Sequence, residues 1–404
     1  MKSTTMTDRT HEEPSNTGSA GHIDVRNIGE PIRVTGVKPL AGMSAEAAKG
    51  GQRIKLWTRL ALTSDDPLFH RLADNLVGVV QNIALRGGAE VNLRRTDTLL
   101  LLLKEDQTAE IWADTAAVSL RCSVKRSMKA GAAIMEKDIA DVTGMEFPCV
   151  EIGERDQVVC LFRQDWRFGL AFDFNPDGRL DTEWLARTLG GLYRRMRYKH
   201  LYDAIADTTT FDRLLSAGWF PFAEIVKAEF SRIIEHCDAG LDLSDIEDEV
   251  VSNFDSERTE GILARWVNKP HFSEKYEILQ EAIFAFDSGH PVAVIKILLT
   301  EIEGVLRTAY RTAHGDSSAK VPELLSFAEQ SAETKAGGTD TLLFPREFGE
   351  YLKNYTFAKF DPRKELGGAG SRHAVGHGAA SQESYTMARA LQTILTLDQL
   401  AFYT

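Results

Sequence analysis

Near its C-terminal end the chain reads Ser371-Arg372-His373-Ala374-Val375-Gly376-His377-Gly378. Arginine is always charged and presents a planar fork of donors that grips a phosphate. Histidine titrates near neutrality and can take or give a proton. Arg372 and His377, with His373 between them, therefore have the residue types needed to hold a phosphate while a proton moves beside it. The same spacing recurs at Arg195/His200, and in looser form at Arg265/His271 and Arg307/His314. Two features set the Arg372 copy apart. The residue after its arginine is itself a histidine, where Asn or Asp would also fit, and the segment leads from a Pro/Gly-rich loop over 361–370 into the last apolar-periodic stretch of the chain. Two further groups have chemical potential. Glu301 and Glu303, in Thr300-Glu301-Ile302-Glu303-Gly304, offer carboxylates that could orient an imidazole and raise its basicity. Arg194, Arg195 and Arg197 lie in a basic stretch interleaved with Tyr193, Tyr198 and Tyr202, a composition that can track a nucleic-acid backbone and stack a base. Each has a structural alternative: cap and loop residues for the Arg-His segment, solvated edge residues for the glutamates, and a tyrosine core with a solvated basic face for the third.

The elements that must position these groups follow from periodicity and breakers. Residues 290–314 carry Ile295, Leu298, Leu299, Ile302, Val305, Leu306 and Ala309 at i, i+3, i+4, i+7 spacing, which predicts a bundle core helix. Ile302 lies in that stripe, so Glu301 and Glu303 fall on its opposite edges. Further helices are expected over 274–288, 320–334, 344–356 and 381–403, with Ala388, Leu391 and Leu395 in the core. Were 372–377 one regular helix, its two ends would stand about 140° apart. Two remedies exist: Gly376 and Gly378 let the segment leave helical geometry, or a two-fold dimer brings two copies of the motif into one cleft. The start of the final helix would also offer unpaired N–H groups to an anion.

Upstream the signals are mixed. Ile54, Leu56 and Trp57 suggest a first strand. Residues 67–85 read as a helix with Asp66 as N-cap before Pro67. Strands are expected over 98–103 and 108–113, joined by a hairpin-like loop, and over 117–124, 157–162 and 167–174. Asn175-Pro176-Asp177-Gly178 breaks the chain. Helical periodicity follows from Leu180, with a second helix over 221–236 and an acidic stretch over 242–260, eight carboxylates against one arginine, best read as a solvated face or loop. The fold class expected is an α+β N-terminal domain with a mostly antiparallel sheet, followed by an all-α C-terminal helical bundle. Four segments result: a disordered or partly ordered arm over 1–50, an α+β sensor or regulatory domain over 51–178, a helical connector over 179–273 and the bundle over 274–404.

The chain has 404 residues, 43% hydrophobic and 26% charged, with a net charge of −12. That balance argues against a surface that coats nucleic acid nonspecifically, while leaving room for a local basic site. Residues 274–404 hold 13 Lys and Arg against 17 Asp and Glu, which counts against tight RNA binding by one bundle alone. The four cysteines are scattered without zinc-ligand spacing, so reduced thiols in a cytoplasmic protein are expected. The N-terminus has Asp8, Glu12 and Glu13 and no apolar run, unlike a signal peptide, and the Leu run over 99–103 is too short to span a bilayer. There is no phosphate loop, dinucleotide fingerprint or nucleophile elbow, and no cofactor, metal or membrane contact is expected.

The Arg372/His377 segment, with the polar residue after the arginine and its place before the last helix, resembles the R-x4-H signature of HEPN domains. These are small helical bundles that include metal-independent ribonucleases. The Glu-Ile-Glu-Gly phrase at 301–304 resembles the corresponding helix of that family, where an acidic residue can approach the Arg-His pair. The resemblance covers about the last 130 residues. It implies a metal-independent endoribonuclease with Arg372, His377 and His373 in the site, Glu303 and Glu301 beside it, RNA as substrate, and a homodimer whose interface builds the site. Proteins of this build are often toxins or phage-defence effectors, here controlled by the N-terminal region. The alternative is a noncatalytic HEPN-like dimerisation or binding module in a regulatory protein.

Overall fold

The computed structural model describes residues 26–92, 95–225, 227–315, 318–359 and 368–404. Residues 1–25 of the arm expected over 1–50, and most of the loop at 361–370, lie outside these residues, whereas Ile32–Val34 of that arm are a strand of the sheet.

The five leucines of Leu99–Leu103 show how the N-terminal region is organised. They belong to β3 (Thr98–Leu103), in the middle of a six-stranded sheet. The order is β1 (Ile32–Val34), β4 (Ala109–Ala113), β3, β7 (Gln157–Gln164), β8 (Arg167–Asp173) and β2 (Arg59–Thr63), and every pair is antiparallel. Side chains alternate between faces along a strand. Leu99, Leu101 and Leu103 pack with α1 (Pro67–Arg86), while Leu100 and Leu102 pack with α2 (Thr182–Arg197). A strand covered on both faces has no polar side, which is why the run is unbroken. Asp66 caps α1 as expected, its carboxylate accepting from the Leu68 N–H at 2.7 Å. A separate antiparallel pair, β5 (Ser119–Val124) and β6 (Ile139–Glu146), also lies against α2.

The first strand is displaced from its expected position. Residues 51–56 are not extended into the sheet, and Trp57 makes only an isolated bridge to Met43. The sheet is entered two residues later, where Arg59 pairs with Asp173 and its guanidinium meets that buried carboxylate at 2.7 Å. Strand β6 was not anticipated, because its Asp141, Thr143 and Gly144 break the apolar pattern.

Helix α2 owes its place to a glycine. A β-carbon on Gly190 would stand 2.5 Å from Gly144 Cα and 2.7 Å from Gly144 N, so helix and strand touch backbone to backbone. Alanine ordinarily favours a helix interior over glycine by about 1 kcal/mol. Here Gly190→Ala should instead lower stability by about 1–2 kcal/mol, because the contact is backbone and cannot swing aside. Urea denaturation checks this, and a stabilised variant would contradict the packing.

From Tyr198 onward the chain is helical, and one apolar cluster extends to Tyr403. Its helices are α3 (Lys199–Ala206), α4 (Thr208–Ser216), α5 (Lys227–Ala239), α6 (Ser244–Ser252), α7 (Ser256–Val267), α8 (Pro270–Ser273), α9 (Tyr276–Asp287), α10 (Pro291–His314), α11 (Val321–Ala336), α12 (Pro345–Tyr351), α13 (Arg372–Gly376) and α14 (Met387–Tyr403). The expected stripe of α10 is buried, as are Ala388, Leu391 and Leu395 of α14. Three boundaries shift. Residues 221–225 are not helical, so the helix expected from 221 starts at Lys227. Helix α12 passes into a π-helical turn over Leu352–Thr356. The last helix begins at Met387, and the Arg-His segment forms a helix of its own before it. Among the described residues no helix is long and apolar enough to cross a membrane.

Candidate functional site

Helix α13 is fixed from both sides. Ser371 is its N-cap: the hydroxyl accepts from the Ala374 N–H and donates to the Ala358 carbonyl at 3.1 Å. Ala374 and Val375 are buried and anchor the turn. That leaves Arg372, at the first helical position, to extend toward α10. There its Nη2 lies 2.7 Å from Glu303 Oε2.

Glu303 is the centre of the arrangement. It is buried, not a solvated edge residue, and its other oxygen accepts from Arg307 Nε at 2.7 Å. Arg307 also donates to the Ala319 carbonyl at 2.8 Å. One carboxylate thus faces two guanidiniums, and the local sum is one positive charge. The Arg372 contact is an ion pair off hydrogen-bond geometry. Among the described residues, both Glu303 Oε2 and Arg372 Nε therefore lack a hydrogen bond. Arg307 was missed as a member of this cluster. Its signal was the i, i+4 spacing from Glu303. His314, its partner in the looser copy of the motif, stacks on Tyr310 with ring centroids 4.3 Å apart.

The remaining site residues are placed as follows. His377 follows α13 as its C-cap, donating its backbone N–H to the His373 carbonyl at 3.1 Å, and its side chain is exposed. Among the described residues its imidazole makes no hydrogen bond. The positive φ comes at Gly378, after His377, so neither glycine bends the imidazole back toward Arg372. His373 is half-buried and lines a groove of about 860 Å³ between α11 and α12, together with Arg346, Lys353, Lys359 and Glu329. Glu301 stands apart, paired with Lys275 of the loop before α9. The N–H groups of the last helix do not serve the motif, because residues 377–386 separate the two.

The basic stretch is tied into the fold. Arg194 is buried, with Asp340 3.5 Å and Asp141 3.9 Å away, and it donates to the Val142 carbonyl. Arg195 meets Asp340 at 3.3 Å, and Arg197 meets Glu136 at 2.7 Å and Asp165 at 3.3 Å. Each charge already has a carboxylate. Among the described residues no three His, Cys, Asp or Glu side chains are grouped to hold a metal ion.

In comparison with known proteins, the chain matches no family model, no curated protein and no solved structure.

The Glu303 cluster makes its own prediction. Glu303→Gln leaves Arg307 and Arg372 facing each other without a counter-charge. Both arginines are partly exposed, so screening reduces the cost, and the expected loss is about 1–2 kcal/mol in urea denaturation. A variant as stable as the wild type would mean that the two guanidiniums find other partners.

Proposed function

We propose that residues 274–404 form an RNA-cleaving module of HEPN type, a metal-independent endoribonuclease, controlled by the N-terminal region in a toxin or phage-defence effector. The observation that carries this reading is the convergence of Arg307 and Arg372 on Glu303 beneath a short helix that ends in the exposed imidazole of His377. A locus with one surplus positive charge attracts a phosphate, and an exposed imidazole can serve it.

In this mechanism Arg372 binds the scissile phosphate and Glu303 keeps its guanidinium extended. His377 takes the proton of the 2′-OH as the 2′-oxygen bonds to phosphorus. The P–O5′ bond breaks, the imidazolium returns its proton to the leaving 5′-oxygen, and a 2′,3′-cyclic phosphate remains. No water is consumed. His373 positions the strand from the adjoining groove. Arg372 and His377 leave α13 in different directions, so a homodimer that joins two bundles at this helix supplies the facing groups. The test is incubation of the purified full-length protein with total RNA in EDTA, with end-group analysis of the products. Cyclic phosphate ends in chelator support the reading, and intact RNA opposes it.

The ion pair itself favours a second reading. Arg372 already has an anion at 2.7 Å, and an arginine so engaged can serve as a structural clamp between α13 and α10. The bundle is then a noncatalytic dimerisation or binding module. Light scattering that gives a dimer together with intact RNA would select this reading.

A further inference from the structure

Away from the Arg372 site, two cavities of about 450 Å³ and 330 Å³ adjoin where the end of the β5–β6 pair meets the helical layer. Lys125 and Lys137 line both. The larger is mostly apolar, walled by Ile139, Tyr198, Leu201, Phe222, Ile225 and Phe230. The smaller is charged, with Arg126, Arg258 and Arg265 facing Asp138 and Glu224 among others.

Lys125 is the informative residue. It follows directly on β5, its backbone N–H donates to the Asp138 carbonyl at 2.8 Å, and the residue is only 6% exposed. A buried ammonium is ordinarily paired. Here the nearby carboxylates are already taken. Asp398 and Glu224 each lie 2.8 Å from Arg265 Nη2, and Glu224 stands 3.8 Å from Arg258. Among the described residues none reaches ion-pair distance of the Lys125 ammonium. Burial pushes the ammonium below the usual lysine range, and Arg258 and Arg265 add to this against the pull of Glu224 and Asp398. The fold thus maintains a buried cation without its own counter-ion at the junction of an apolar and a polar cavity. The combined size is that of a small-molecule site.

We propose that this junction binds an amphiphilic organic anion, with an aryl or acyl body in the larger cavity and its carboxylate, sulfonate or phosphate group on Lys125. Such a ligand would supply the missing counter-charge and fill the apolar space together, which neither a bare anion nor a neutral hydrocarbon does. The site touches both the β5–β6 pair and the helices of the C-terminal cluster, and it is independent of the RNA reading.

The test uses the full-length protein and two fluorescent probes of the same body, 1-anilinonaphthalene-8-sulfonate and the neutral N-phenyl-1-naphthylamine. The expected result is one sulfonate probe per chain, bound at least about tenfold more tightly than the neutral probe, since a charge-assisted contact in a buried site is worth at least that factor. Lys125→Met should erase the difference between the probes, and its melting temperature should match or exceed the wild type, because it removes an unpaired buried charge. Ser231→Trp, on the half-buried lining of the larger cavity, should weaken both probes. Equal affinity of the two probes for the wild type, or unchanged sulfonate binding by Lys125→Met, would overturn the proposal.

Discussion

His377→Ala is expected to cleave RNA about 10²–10⁴-fold more slowly than the wild type, the usual contribution of a positioned acid or base. Its melting temperature should be unchanged. The side chain is exposed, and only the backbone of His377 contributes to the cap of α13, so alanine removes the imidazole and nothing the fold depends on. Arg372 separates the two readings more sharply. An ammonium at this position keeps the ion pair with Glu303 but loses the fork that grips a phosphate at two points. Arg372→Lys should therefore be nearly as stable as the wild type and nearly as inactive as Arg372→Ala. In the clamp reading Arg372→Lys is close to silent, and Arg372→Ala costs stability alone. Single-turnover cleavage of a labelled RNA, run beside thermal denaturation of the same samples, gives both quantities. Cleavage by His377→Ala at the wild-type rate would remove that residue from the mechanism.

The largest stability effect is expected away from the motif. Asp398→Ala should cost about 3–5 kcal/mol, the range for breaking a buried pair from one side. Asp398 is 1% exposed on α14 and accepts from Arg265 at 2.9 and 2.8 Å and from the Trp266 indole at 3.0 Å. Removing it leaves the Arg265 guanidinium buried on α7 with Glu224 as its remaining carboxylate. Asp398→Asn retains the shape and a possible bond to the indole, so its loss should be smaller. Urea denaturation of the two variants would order them. An Asp398→Ala variant within about 1 kcal/mol of the wild type would show that the pair gains little over its desolvation cost.

Some of this architecture was legible in the sequence because it depends on local signals. The stripe of α10 and the Asp66-Pro67 start of α1 are set by periodicity and capping, which act within one or two turns. The uninterrupted Leu99–Leu103 run announced a buried strand for the same reason, since only a strand covered on both faces carries it. The Arg-His segment and its neighbouring glutamates could also be found from residue types and spacing.

What the sequence left open depended on partners distant along the chain. Helix α14 has a legible apolar side in Ala388, Leu391 and Leu395, but its polar side is buried too. Gln392 accepts from Tyr355, Asp398 holds Arg265, and Gln399 bonds the Ala223 N–H at 2.8 Å and the Leu343 carbonyl at 3.1 Å. Spacing cannot distinguish a polar face turned to water from one satisfied by other elements, because both present the same residues. Glu303 is the same case, its stripe-edge position concealing a buried carboxylate between two arginines. The basic stretch at 194–197 had the composition of a nucleic-acid contact, yet Asp340, Glu136 and Asp165 reach it from up to 146 residues away. Nothing in the sequence around Lys125 distinguishes it from a surface lysine. Only the packing of the β5–β6 end against α5 and α7 removed it from water without bringing a carboxylate to it. Periodicity determined the strongly patterned helices and strands, and long-range packing determined the weakly patterned β6, which charges are neutralised and which remain available to a ligand.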